Sequence, residues 1–163
     1  MDKVQIKPNV ISNWLEIVQD IEELEIPFYS REKDYGVLSS SIKNEIGYSR
    51  LESAYKKHLP DGLLTKILSN FDTKTQITHT FLQIQRYVKG SYILPHRDNY
   101  NVGLRLFTLS TSEYDGLTVQ SEDGFIFVPD IGGQEIIFDR SAWHWVNPVR
   151  DRIRYSLVIG LAS

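Results

Sequence analysis

The chain has no cysteine among its 163 residues. Disulfide frameworks, thiolate zinc sites, iron–sulfur clusters and a cysteine nucleophile are excluded. Any metal must be held by imidazole and carboxylate. Histidine is scarce as well, with His58, His79, His96 and His144 making up all 4. Basic residues are in slight deficit, 18 Lys and Arg against 21 Asp and Glu, for a net charge of −3. No basic field is available to hold a phosphate backbone, which argues against nucleic acid as a partner. No apolar run reaches the roughly 18 residues of a membrane-spanning helix, so no membrane association is expected. The N-terminal stretch MDKVQIKPNV lacks the apolar core of a signal peptide, and the expected compartment is the cytoplasm.

What is present is an ordinary globular composition over a length that suits one domain, residues 1–163. The pattern changes near residue 75. Residues 1–75 read as a mostly helical support. Ile11, Trp14, Leu15, Val18 and Ile21 fall at helical spacing and predict a helix over 9–24 with Asn9 or Ser12 as cap. Two further helices are expected over 49–58 and 61–70, and the polar segment 29–48 reads as a loop or lid with a short strand at Val37–Leu38. From residue 76 the period is two. Strands are expected over 77–88, 92–96, 104–110, 117–120, 125–129, 135–138, 143–148 and 153–161. Asp115-Gly116, Asp123-Gly124 and Gly132-Gly133 stand as turn signals between them. The expected class is mainly β with N-terminal helices. Its core, over 76–163, is a jelly roll, a cupin-like double-stranded β-helix, with the helices covering one sheet.

Chemistry enters at His96 and Asp98. Residues i and i+2 of a strand point the same way, so an imidazole and a carboxylate converge there. His144 stands on another β-like segment. Two imidazoles and one carboxylate on one face of a metal leave the opposite positions open, which is the facial triad of non-heme Fe(II) oxygenases. Arg154 and Ser156 share a strand face further on. A guanidinium beside a hydroxyl suits a carboxylate, such as the far end of a dicarboxylic acid whose near end chelates the metal.

The H-x-D…H…R-x-S arrangement at His96, Asp98, His144, Arg154 and Ser156 resembles the 2-oxoglutarate and Fe(II)-dependent oxygenase superfamily, nearest its prolyl 4-hydroxylase-like branch. Tyr87 and Gly90 before the first histidine, Arg105 on the next strand, and Pro129, Gly133 and Phe138 before the second histidine agree with it. Arg152 stands where the superfamily commonly has glycine, and Arg154 where collagen-type prolyl hydroxylases usually carry lysine. The resemblance spans about residues 76–161.

The resemblance implies Fe(II) on His96, Asp98 and His144 as the catalytic and metal residues. It implies 2-oxoglutarate bound through Arg154, Ser156 and Tyr87, with O₂ as oxidant and ascorbate as candidate reductant. The implied enzyme is a dioxygenase that hydroxylates an unactivated C–H bond and releases succinate and CO₂. Asp98 favours hydroxylation over halogenation, because related halogenases lack that carboxylate. Implied substrates are a prolyl or other protein side chain, a peptide, a free amino acid or a small molecule. Two alternatives are a nucleic-acid demethylase of the same superfamily and a non-catalytic cupin-like binding module. Arg105 is expected either to face substrate or to form a salt bridge at the barrel mouth. Tyr92, Asn99 and Tyr100 are candidate substrate contacts.

Overall fold

Strand β12 (Arg154–Leu161) is buried along both faces until its last residue, and the fold is organised around it. Tyr155, Leu157 and Ile159 point to one side, where they join a core with Ile17, Ile21, Leu63, Ile67, Leu82, Ile84 and Phe107. Arg154, Ser156 and Val158 alternate to the other side. The structure, a computed structural model, describes residues 3–30, 49–98, 103–139, 141–150 and 152–161.

The other strands are β1 (Gln5–Lys7), β2 (Tyr29–Ser30), β3 (Ser49–Arg50), β4 (Glu52–Tyr55), β5 (His79–Tyr87), β6 (Tyr92–His96), β7 (Gly103–Thr108), β8 (Ser112–Ser121), β9 (Gly124–Asp130), β10 (Glu135–Ile137) and β11 (His144–Val146). The helices are α1 (Trp14–Glu23), α2 (Asp61–Leu68) and α3 (Thr73–Thr78). A seven-stranded sheet runs in the order β1-β10-β7-β12-β5-β4-β2 and a five-stranded sheet in the order β3-β6-β11-β8-β9. All pairings are antiparallel. A second core, including Tyr87, Ile93, Leu117, Val119, Val128 and Val146, fills the space between the sheets. The expected mainly β architecture with helices over one sheet is borne out: α1 and α2 bury Ile17, Ile21, Leu63 and Ile67 against the larger sheet.

Several local expectations need correction. The helix expected over 49–58 is instead β3, β4 and a 3₁₀ turn at Lys56–His58. Pairing with β5 overrides helix propensity there, and Arg86 Nη2 meets Glu52 Oε2 at 2.9 Å across the pair. Helix α1 starts at Trp14 rather than near residue 9. Asn9 is left-handed (φ 55), and the N–H groups of Val10 and Ile11 donate to the Gly133 carbonyl. Asp115-Gly116 is no turn. It lies inside β8 at a register shift against β9, a bulge, where an extra residue needs the same conformational tolerance as a turn. A Cβ at Gly116 would run into the Val128 carbonyl oxygen. Residues 31–48, Asn99 and Tyr100, with the strand, lid and contact expectations placed on them, lie outside the described residues.

The strand expected from residue 77 starts at His79, because α3 precedes it. Asp72 accepts the Thr75 backbone N–H at 2.8 Å and so caps α3. That bond holds the Asp72 carboxyl below its ordinary range. A carboxyl depressed in the folded state adds stability that is complete above its unfolded value and lost as pH falls through the folded one. Asp72→Ala is expected to lower Tm at neutral pH and to narrow that gap in acid. Melting curves across the acid limb check this, and a constant Tm difference at every pH would contradict it.

Candidate metal centre

Strands β6 and β11 are neighbours, and their register sets His96 opposite His144. On its other side His144 is opposite Val119, which is fully buried in the inter-sheet core. Cross-strand partners share a face, so both imidazoles point inward. Asp98 lies just beyond β6. One ligand atom from each of His96, Asp98 and His144 lies within 4.8 Å of the others. The Nε2 atoms of His96 and His144 stand 3.8 and 3.5 Å from the two Asp98 oxygens.

The far side of each ring fixes what faces the centre. His96 Nδ1 is 2.7 Å from the Leu94 carbonyl oxygen, and His144 Nδ1 is 3.0 Å from that of Ala142. A carbonyl can only accept, so each Nδ1 donates, and in the neutral ring each Nε2 then presents a lone pair. With both rings neutral, two lone pairs and a carboxylate converge on one point, an arrangement that a cation among them satisfies. Backbone carbonyls orienting ligand imidazoles are the usual outer layer of a metal site. Phe138 packs its ring 4.8 Å from that of His144, which is itself buried. Two nitrogens, one oxygen and no sulfur on one side of a centre fit Fe(II).

Arg154 lies on β12 of the facing sheet and is 3% exposed. Its guanidinium lies 4.9 Å from the ring centroid of Tyr87, its cross-strand partner. Its Nε donates to both oxygens of Asp130, at 3.2 and 2.9 Å. Burial works against the Arg154 charge, but Asp130 overrides it and the pKa sits above the ordinary value. Burial pushes the Asp130 carboxyl up from the usual carboxylate range, against the pull of Arg154. Ser156 donates to Gln85 Oε1 at 2.9 Å, and the Tyr87 hydroxyl donates to the same oxygen at 3.3 Å. Arg154, Ser156 and Tyr87 therefore form one buried polar group with Gln85 and Asp130, between the sheets. A fixed guanidinium flanked by hydroxyls fits the distal carboxylate of 2-oxoglutarate.

The family model for Aspartyl/Asparaginyl beta-hydroxylase matches residues 12–162. The chain belongs to the aspartyl/asparaginyl beta-hydroxylase family. This hydroxylase is an enzyme, and the family match takes in the N-terminal helices that the sequence resemblance left out. Among curated proteins none matches in sequence. Solved structures share the fold. A Pseudomonas putida prolyl-4-hydroxylase matches with TM-score 0.61 and 15% identity, over 99% of this chain and 92% of that one. A Trichoplax adhaerens prolyl hydroxylase, in complex with a hypoxia inducible factor oxygen degradation domain peptide fragment, matches with TM-score 0.63 and 15% identity, over 99% and 84%. A Burkholderia pseudomallei oxidoreductase of the 2OG-Fe(II) oxygenase family matches with TM-score 0.63 and 17% identity, over 96% and 84%. The fold of the hydroxylase is thus that of the 2-oxoglutarate and Fe(II) oxygenases, its prolyl-4-hydroxylase-like members included.

The remaining sequence candidates resolve in different ways. Arg105 makes the salt bridge rather than a substrate contact. Its Nε and Nη2 donate to both Glu135 oxygens at 2.9 and 2.8 Å on the helix side of the larger sheet, beside Phe71 and Phe107. His58 accepts the Tyr55 N–H at 3.1 Å, and His79 bonds the Thr75 carbonyl, both structural roles. Trp143 and Trp145 turn away from His144, towards Arg97 and Phe125. Sequence reasoning missed Gln85 and Asp130. The strand parity of Tyr87 would have exposed Gln85, and that of Val128 would have exposed Asp130 as inward-facing. No helix among the described residues is long and apolar enough to cross a membrane.

Proposed function

We propose that this hydroxylase inserts oxygen into an unactivated C–H bond of an amino-acid side chain, free or within a peptide, and converts 2-oxoglutarate to succinate and CO₂. The observation that carries the reading is the meeting of His96 and Asp98 from the end of β6 with His144 from β11, the Nε2 atoms 3.8 and 3.5 Å from the carboxylate oxygens. Fe(II) with 2-oxoglutarate, when bound, supplies the oxidising chemistry. This chain's residues supply position. The Leu94 and Ala142 carbonyls hold both Nε2 lone pairs towards the ion. Asp98 adds the anionic ligand. Phe138 shields the buried His144 ring from water. Arg154 pairs with the distal carboxylate of the co-substrate, with Ser156 and Tyr87 beside it. The peptide held by the Trichoplax neighbour supports peptides as substrates.

The test is turnover with Fe(II), 2-oxoglutarate, O₂ and ascorbate against free amino acids and peptides carrying Asp, Asn or Pro. We expect one class to gain the mass of one oxygen atom, with matching succinate. Succinate release that no panel member stimulates, from protein that binds both cofactors, would count against an amino-acid side chain as substrate.

A further inference from the structure

Two acids are buried in the region of Arg154. Asp130 is 1% exposed and Asp115 5% exposed. Both interact electrostatically with the buried Arg154. Asp115 is held in place at the β8 bulge, where its Oδ1 accepts the Arg150 backbone N–H at 2.8 Å. Of the two acids, Asp130 is the one in hydrogen-bond contact with the guanidinium. The Asp130 contact also has a particular form. Both of its oxygens take Nε, rather than sharing Nε and a terminal nitrogen in the two-point fork that arginine usually offers. The end-on edge of the guanidinium, the pair of terminal nitrogens, points away from such a contact.

We propose that Asp130 is a positioning residue for the co-substrate. It grips Arg154 through Nε, turns the terminal edge of the guanidinium towards the distal carboxylate, and competes with that carboxylate for the positive charge. The inference rests on the reading of Arg154 as the co-substrate clamp. The grip spans the two sheets, from β9 to β12, so it also fixes the pocket while no ligand is present. Co-substrate affinity is then set by a competition between two anions for one cation rather than by Arg154 alone.

The consequence is opposite to that of a structural ion pair. Asp130→Asn keeps an oxygen acceptor for Nε and removes the competing charge. It should bind 2-oxoglutarate about tenfold more tightly than the native protein. It should leave 2-oxopentanoate unchanged, because that acid keeps the keto-acid chelate and lacks the distal carboxylate. Both are titrated calorimetrically against the Fe(II)-loaded protein without oxygen. A rise in the affinity ratio of the two acids supports the proposal. A ratio that stays level or falls overturns it, since a structural role moves both affinities together. Should Asp130→Asn fail to fold, Asp115→Asn leaves the Nε contacts in place and removes the neighbouring charge. It is expected to raise the same ratio by less, and an unchanged ratio there overturns the proposal equally. The native protein separates the two readings. If it binds both acids alike, Arg154 is not the clamp. If it prefers 2-oxoglutarate and neither variant strengthens that preference, only the role of Asp130 falls.

Discussion

Arg154→Ala is expected to lose 2-oxoglutarate affinity by hundreds-fold or more while Fe(II) affinity stays within a few-fold. The guanidinium is buried, so its bond to an incoming carboxylate is unscreened by water. Removing one partner of such a pair typically costs about 3–5 kcal/mol, which converts to that loss. A second cost is separate. The substitution strands Asp130 in the interior without its partner, so Tm should fall as well. The double variant Arg154→Ala/Asp130→Ala removes the stranded charge and should recover part of the Tm, yet none of the co-substrate affinity. Titrations of both cofactors with melting curves on the three proteins check this. Equal 2-oxoglutarate affinity in native and Arg154→Ala protein would reject the clamp.

The other large effect is expected at the metal. His144→Ala and Asp98→Ala should each lose more iron affinity than the roughly 10–100-fold typical of outer-layer substitutions, and each should abolish succinate formation without added substrate. The folded state offers an unusual control. With the metal stripped, the Asp98 oxygens stand 3.5 and 3.8 Å from the two Nε2 atoms, longer than a close hydrogen bond. Asp98→Ala gives up no close contact there, so its metal-free Tm should lie near that of the metal-free native protein. With Fe(II) present the native protein should melt higher, because the ion stabilises only the protein that binds it. Unchanged succinate yield in either variant would remove its residue from the metal.

The outline of this site was legible in sequence because its chemistry is tied to local parity. His96 and Asp98 are two residues apart at a strand end, as are Arg154 and Ser156 within β12, and alternation alone puts each pair on one face. What remained hidden depends on register between distant strands. Gln85 takes its meaning from standing opposite Ser156, and Asp130 from reaching Arg154 across the gap between the sheets. Strand parity turns both residues inward, but which residue each meets is decided only by that register. Asp115 was misread for a related reason. An Asp-Gly pair suits a turn and a bulge equally, and only pairing with β9 decides between them. The segment from 49 to 58 failed in the opposite direction. Its local composition favours helix, but Glu52 and Ser53 find partners in Arg86 and Gln85, and a sheet with an open edge outweighs a short helix with little to bury.

One ion held by three side chains from two segments is tested most directly by diffraction at the iron absorption edge. Crystals grown with Fe(II) in the absence of oxygen should give an anomalous peak bonded to His96 Nε2, His144 Nε2 and the Asp98 carboxylate. A peak on other residues, or none between these three in protein that binds iron in solution, would contradict the account.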